Sequence, residues 1–113
     1  MKYMMFVVAD PEAEGQAPDP EVDEIDDWCE RYVANGKHVI GERLRPTRDA
    51  TTVRRRDGKL LVTDGPFAET REWIAGFDVL ECTDLDEAIE IASKHPMSAE
   101  GRIELRPFWP FEG

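Results

Sequence analysis

Of the 25 acids in this chain, Asp64 has the position best suited to proton transfer. It ends a β-prone run and stands directly before Gly65-Pro66. A strand end followed by a rigid turn can project a carboxyl into a cleft. Partial shielding from water there favours the acid form, which suits general acid–base work. The competing role is structural, because Asp before a turn commonly accepts hydrogen bonds from backbone N–H groups. Glu69, five residues on, is either a second carboxylate at the same site or a solvated loop acid. Arg45 and Arg54 carry planar guanidinium groups that can hold a carboxylate or phenolate through paired contacts. Their alternative is solvation, or pairing with the acidic segment upstream. Trp73 can line a pocket for an aromatic ligand, and Phe67 reads as a core or interface anchor. The candidate site is thus Asp64 as catalytic group, with Arg54, Arg45, Glu69 and Trp73 binding substrate.

Other chemistry-bearing residues have plainer readings. His38 reads as strand packing. His95 precedes Pro96 at a helix end, where a cationic imidazole would cap the last carbonyls. Cys29 and Cys82 lie far apart and read as two buried free thiols, although their number also permits a disulfide. No His/Cys/Asp cluster has metal-ligand spacing. No phosphate-binding glycine loop or nucleophile elbow is present. Neither a cofactor nor a metal is expected.

The elements that must position these residues belong to one domain of 113 residues. Apolar content of 41% with 35% charge marks a globular chain. Its longest apolar stretches are too short to span a membrane. The opening Met1-Lys2-Tyr3-Met4 leads into an apolar run without a small-residue cleavage site after it. It is read as a first strand, and the protein is placed in the cytoplasm. A net charge of −11 disfavours nucleic-acid binding. The charge is segregated: residues 9–30 hold ten acids and no Lys or Arg, while residues 43–59 hold seven of the fourteen bases. That segregation fits an anionic substrate, an acidic partner, or two solvated faces of opposite sign.

Tyr3 to Val8 is apolar at every position, so both faces of this strand need cover. A helix is predicted from Asp19 as N-cap and Pro20 to Asn35-Gly36, with Val22, Ile25, Cys29, Tyr32 and Val33 on its stripe. Trp28 flanks that stripe. Lys37 to Leu44 reads as a strand. Thr51–Arg56 and Lys59–Thr63, joined by Asp57-Gly58, read as a β-hairpin. Ile74 to Cys82 is a further strand. Asp84 and Glu87 open a second helix as a capping box, with Leu85, Ala88, Ile89 and Ala92 inward. Arg102 to Phe108 alternates as a last strand, Ile103 and Leu105 inward. The order β-α-β, hairpin, β-α-β is an α+β, ferredoxin-like split βαβ arrangement. Its open sheet face would meet a second copy. Residues 1–107 form the domain, and the apolar tail 108–113 is expected to pack across the dimer.

The block Asp64-Gly65-Pro66-Phe67-Ala68-Glu69-Thr70 lies within Thr51-Thr52-Val53-Arg54, Asp57-Gly58-Lys59, Val62-Thr63 and Gly76-Phe77. Together with Gly41-Glu42, Leu44-Arg45-Pro46, Asp84-Leu85-Asp86-Glu87-Ala88 and Glu104-Leu105-Arg106-Pro107, it resembles the DGPF branch of the YCII-related family over residues 1 to about 107. The resemblance implies a dimeric α+β barrel with a cleft near the dimer interface. It implies either acid–base chemistry of the dechlorinating kind on hydroxylated aromatics, or an accessory role beside sigma factors. The broader family pattern has a His near the first helix, paired with an Asp. This chain has Val22, Asp23, Glu24 and Ile25 there and no His. Three functions therefore stand side by side: an acid–base enzyme on a small aromatic or anionic molecule, a non-catalytic small-molecule-binding or regulatory module, and a structural dimerisation module.

Overall fold

Lys2–Ala9 forms β1, and its unbroken apolar run places it inside the sheet, with a strand hydrogen-bonded on each side. The computed structural model describes residues 1–13, 18–65 and 73–110. The elements in chain order are β1, α1 (Ile25–Ala34), β2 (His38–Arg43), β3 (Thr51–Arg56), β4 (Lys59–Asp64), β5 (Trp73–Glu81), α2 (Leu85–Ser93), α3 (Met97–Glu100) and β6 (Arg102–Pro107). Four strands make one sheet in the order β2-β5-β1-β6, and each neighbouring pair is antiparallel. β3 and β4 form a separate two-stranded sheet.

Both long helices cover the same face of the four-stranded sheet. Tyr3, Met5 and Val7 of β1 and Leu80 of β5 meet Trp28 and Tyr32 of α1 and Ala88, Ile91 and Ala92 of α2. Ile103 and Leu105 pack against this core from β6, as alternation along that strand predicts. The other face carries Met4, Phe6 and Val8, all half-buried, beside Phe77 and Val79. Ile40 at the sheet edge is 52% exposed. The apolar second face of β1 is therefore only partly covered within one chain.

The helices differ from the sequence pattern at their starts and in their rotation. α1 begins at Ile25, not at Pro20. Asp19 closes a turn of its own by accepting the Glu21 N–H at 2.8 Å. The Asp23 N–H donates to the Lys94 carbonyl at 2.8 Å, which ties this segment to the end of α2 rather than to a helical turn. Trp28 and Tyr32 are the buried pair of α1, while Ile25 and Val33 stay exposed. The large indole sets the rotation, because burying it removes more apolar area than either branched side chain. In α2, Ile91 takes the inward place expected of Ile89. The Asp84 cap forms as predicted, the Glu87 N–H donating to Asp84 Oδ1 at 2.9 Å, while Glu87 Oε1 reaches one residue past the N-cap and accepts from the Thr83 N–H at 3.0 Å.

The hairpin turn is Asp57-Gly58, both at positive φ (52° and 75°), the geometry that an Asp-Gly pair favours. The hairpin stands off the body. The chain's radius of gyration is 16.3 Å, against about 13 Å for a compact domain of this length.

Candidate functional site

The site is built where β2 crosses the core end of β5. β5 is central and β2 is its edge neighbour, with Gly41 opposite Asp78 and His38 opposite Leu80. Strict alternation would put His38 and Gly41 on opposite faces, since they are three positions apart. The register shifts between His38 and Ile40, which resets the alternation. His38 thereby shares the helix-covered face with Asp78. Asp78 is paired across the sheet with the fully buried Met5 of β1.

His38 Nε2 lies 2.7 Å from Asp78 Oδ1. The two side chains are 10% and 13% exposed, so little water competes for the contact. Gly41 makes the room. A Cβ there would overlap Asp78 Oδ1 and come within 2.8 Å of His38 Nε2. Trp28 roofs the pair, with its ring edge-on to His38 at 5.6 Å between centroids. The indole N–H donates to the Ile91 carbonyl at 2.8 Å, which fixes the roof to α2.

A second histidine packs against the same indole. His95 is 5% exposed and edge-on to Trp28 at 4.8 Å. Its Nδ1 accepts the Met97 N–H at 3.0 Å, so in the neutral ring the proton sits on Nε2. Burial pushes its pKa down. Nearby His38 pushes the same way, and Asp78 partly offsets them. The expected cationic cap on α2 is therefore corrected: His95 is a neutral acceptor at the start of α3, because the Trp28 roof desolvates it. A histidine depressed in the folded state binds its proton less readily than in the unfolded chain. Its stability contribution is complete above pH about 6.5 and is lost as pH falls below that value. Thermal melts between pH 7.5 and 5 should show this loss, and His95→Gln should flatten it.

Cys29 is half-buried near the pair, and burial followed by the charges of Asp78 and Asp26 raises its pKa. Burial likewise raises that of Cys82. Both are free thiols held in the protonated form, which is unsuited to nucleophilic attack. Among the described residues, no group of three or more His, Cys, Asp or Glu side chains is placed to hold a metal ion.

The residues singled out from sequence lie elsewhere. Asp64 is exposed at the end of β4, opposite Thr51. Arg54 is exposed on β3 opposite Leu61, and the pairing places it on the other hairpin face from Asp64. Arg45 is exposed in the loop after β2. Trp73 is half-buried at the start of β5, opposite Ala9. Glu69 and Phe67 lie outside the described residues. The fold thus brings together His38 and Asp78, which sequence reasoning passed over. The available signal was an acid and a histidine, each interior to a predicted strand; the bulge that unites them left none.

Comparison with known proteins agrees with the sequence resemblance. The model of the YCII-related domain family matches residues 1–112. An uncharacterized protein of Rhizobium meliloti (strain 1021) is 42% identical over 79 residues. That match covers 68% of this chain and 64% of the relative.

Proposed function

This chain belongs to the YCII-related domain family, and we propose that it is an acid–base catalyst acting on a small aromatic or anionic molecule through His38 and Asp78. The observation that carries this reading is the 2.7 Å contact between two nearly buried side chains beneath the Trp28 ring. With Nε2–H donated to Asp78, the carboxylate fixes the tautomer and leaves Nδ1 as the nitrogen that can take a proton. His38 is the proton acceptor and Asp78 its orienting carboxylate. The strand order supports a ferredoxin-like arrangement of the DGPF type, with the pair on the helix-covered face rather than on the open one. We further propose that the partly covered open face, with Met4, Phe6 and Phe77, pairs with a second copy as in a dimeric α+β barrel. Trp109, 93% exposed, then packs with the tail across that dimer. Free thiols at Cys29 and Cys82 suit a cytoplasmic setting.

The test compares His38→Ala, Asp78→Asn and Asp64→Asn on a panel of hydroxylated and carboxylated aromatics. For a substrate the wild type turns over, the first two variants should lose roughly 10²- to 10⁴-fold in rate. Asp64→Asn should retain it. Loss confined to Asp64→Asn would return the catalytic role to the hairpin. Unchanged binding with no turnover by any form would favour the non-catalytic binding module.

A further inference from the structure

The β3–β4 hairpin is an exposed, two-sided surface that the acid–base reading does not use. Cross-strand pairing puts Val53, Val62 and Leu60 on one face together with Arg55, and Arg54, Arg56 and Lys59 on the other together with Leu61. Val53, Leu60 and Val62 are 64%, 56% and 58% exposed. A lone two-stranded hairpin is marginal in water, so such a face gains by being covered. Among the described residues, Arg54, Arg55, Arg56 and Lys59 have no carboxylate partner.

The complement of this arm lies on the same chain but is not engaged by it. Asp26, Asp27 and Glu30 are exposed on α1; Asp27 lies in the field of Arg31 one turn on, but among the described residues none of the three forms an ion pair. Asp26 and Glu30 are four apart, so their like charges repel along the helix. The charge balance sharpens the point. Residues 43–59 hold seven bases and two acids, and the rest of the chain holds seven bases and 23 acids. A long anionic polymer such as nucleic acid would meet the arm but be repelled by the body. A second copy of this chain offers an acid surface of matching sign without that conflict.

We infer that β3–β4 is a docking arm that seats on the acidic first helix of a second copy. If each copy's arm meets the other's helix, the contact is two-fold and closes as a dimer. This deepens the dimer reading above but rests on a different surface from the open sheet face.

Sedimentation velocity on the full chain tests it at about 50 mM and about 500 mM salt, where charge contacts are strong and screened respectively. The variants are an arm reversal (Arg54→Glu, Arg55→Glu, Arg56→Glu), a helix reversal (Asp26→Arg, Asp27→Arg, Glu30→Arg) and the open-face change Phe6→Glu. Wild-type association should weaken at least roughly tenfold at the higher salt. Each reversal alone should weaken it similarly, and an equimolar mixture of the two should recover it. Salt-independent association, arm-reversed protein that associates like wild type, or a mixture no tighter than its parts would overturn the inference. Binding of a duplex DNA oligonucleotide by the arm would overturn it too. Loss of association in Phe6→Glu alone would uphold the open-face dimer while the arm fails.

Discussion

Trp28→Ala is expected to cost roughly 4 kcal/mol of folding stability, read from the shift of the urea midpoint at constant slope. Trp28 is 0% exposed and packs edge-on against Tyr32, His38 and His95. The substitution removes those ring contacts, leaves a cavity under α1 and deletes the hydrogen bond to the Ile91 carbonyl. Total stabilities are typically about 5–15 kcal/mol, so this one change consumes a large share. Trp28→Phe keeps most of the ring packing and loses the N–H. The Ile91 carbonyl still accepts the Lys94 N–H at 3.3 Å, so the Phe variant should lose only about 1–2 kcal/mol. The Ala variant should also flatten the pH dependence below pH about 6.5, because water then reaches the His95 ring. An Ala variant within about 1 kcal/mol of wild type would show that the indole is not the keystone of this core.

Gly41→Ala should leave the fold standing and break the His38–Asp78 pair, at a cost of roughly 2 kcal/mol. The backbone at Gly41 is not in the left-handed region, so alanine is not excluded by strain. The obstacle is side-chain volume: the new Cβ overlaps Asp78 Oδ1 and crowds His38 Nε2. Asp78 must rotate away, leaving two poorly solvated polar groups without each other. The cost should shrink to nearly nothing when Gly41→Ala is made in an Asp78→Ala background, since the overlapping atom is then absent. A His38 ring N–H signal protected from solvent exchange in the wild type should vanish in Gly41→Ala. Equal costs in both backgrounds would place the penalty in the backbone and not in the pair.

The element order and the hairpin were legible because they rest on local rules. Asp57-Gly58 dictates its turn through positive φ, and Asp84 with Glu87 caps α2 through atoms three residues apart. The apolar run of β1 likewise announced an inner strand. The start of α1 was not legible, because the Asp23–Lys94 hydrogen bond joins residues 71 positions apart. The rotation of both helices also escaped the stripe pattern, since it depends on which side chain best fills the space over Met5 and Leu80.

The sequence by itself determined the family, the α+β element order, the charge segregation and the partly uncovered apolar face, all properties of residues near one another in the chain. Only the tertiary structure decided the candidate site. Asp64 and Arg54 stand on the two strands of one hairpin, yet strand alternation sends them to its opposite faces. His38 and Asp78 are 40 residues apart, and a one-residue register shift in β2 sets them 2.7 Å from each other. A bulge carries no composition signal, and its consequence is felt only across a neighbouring strand.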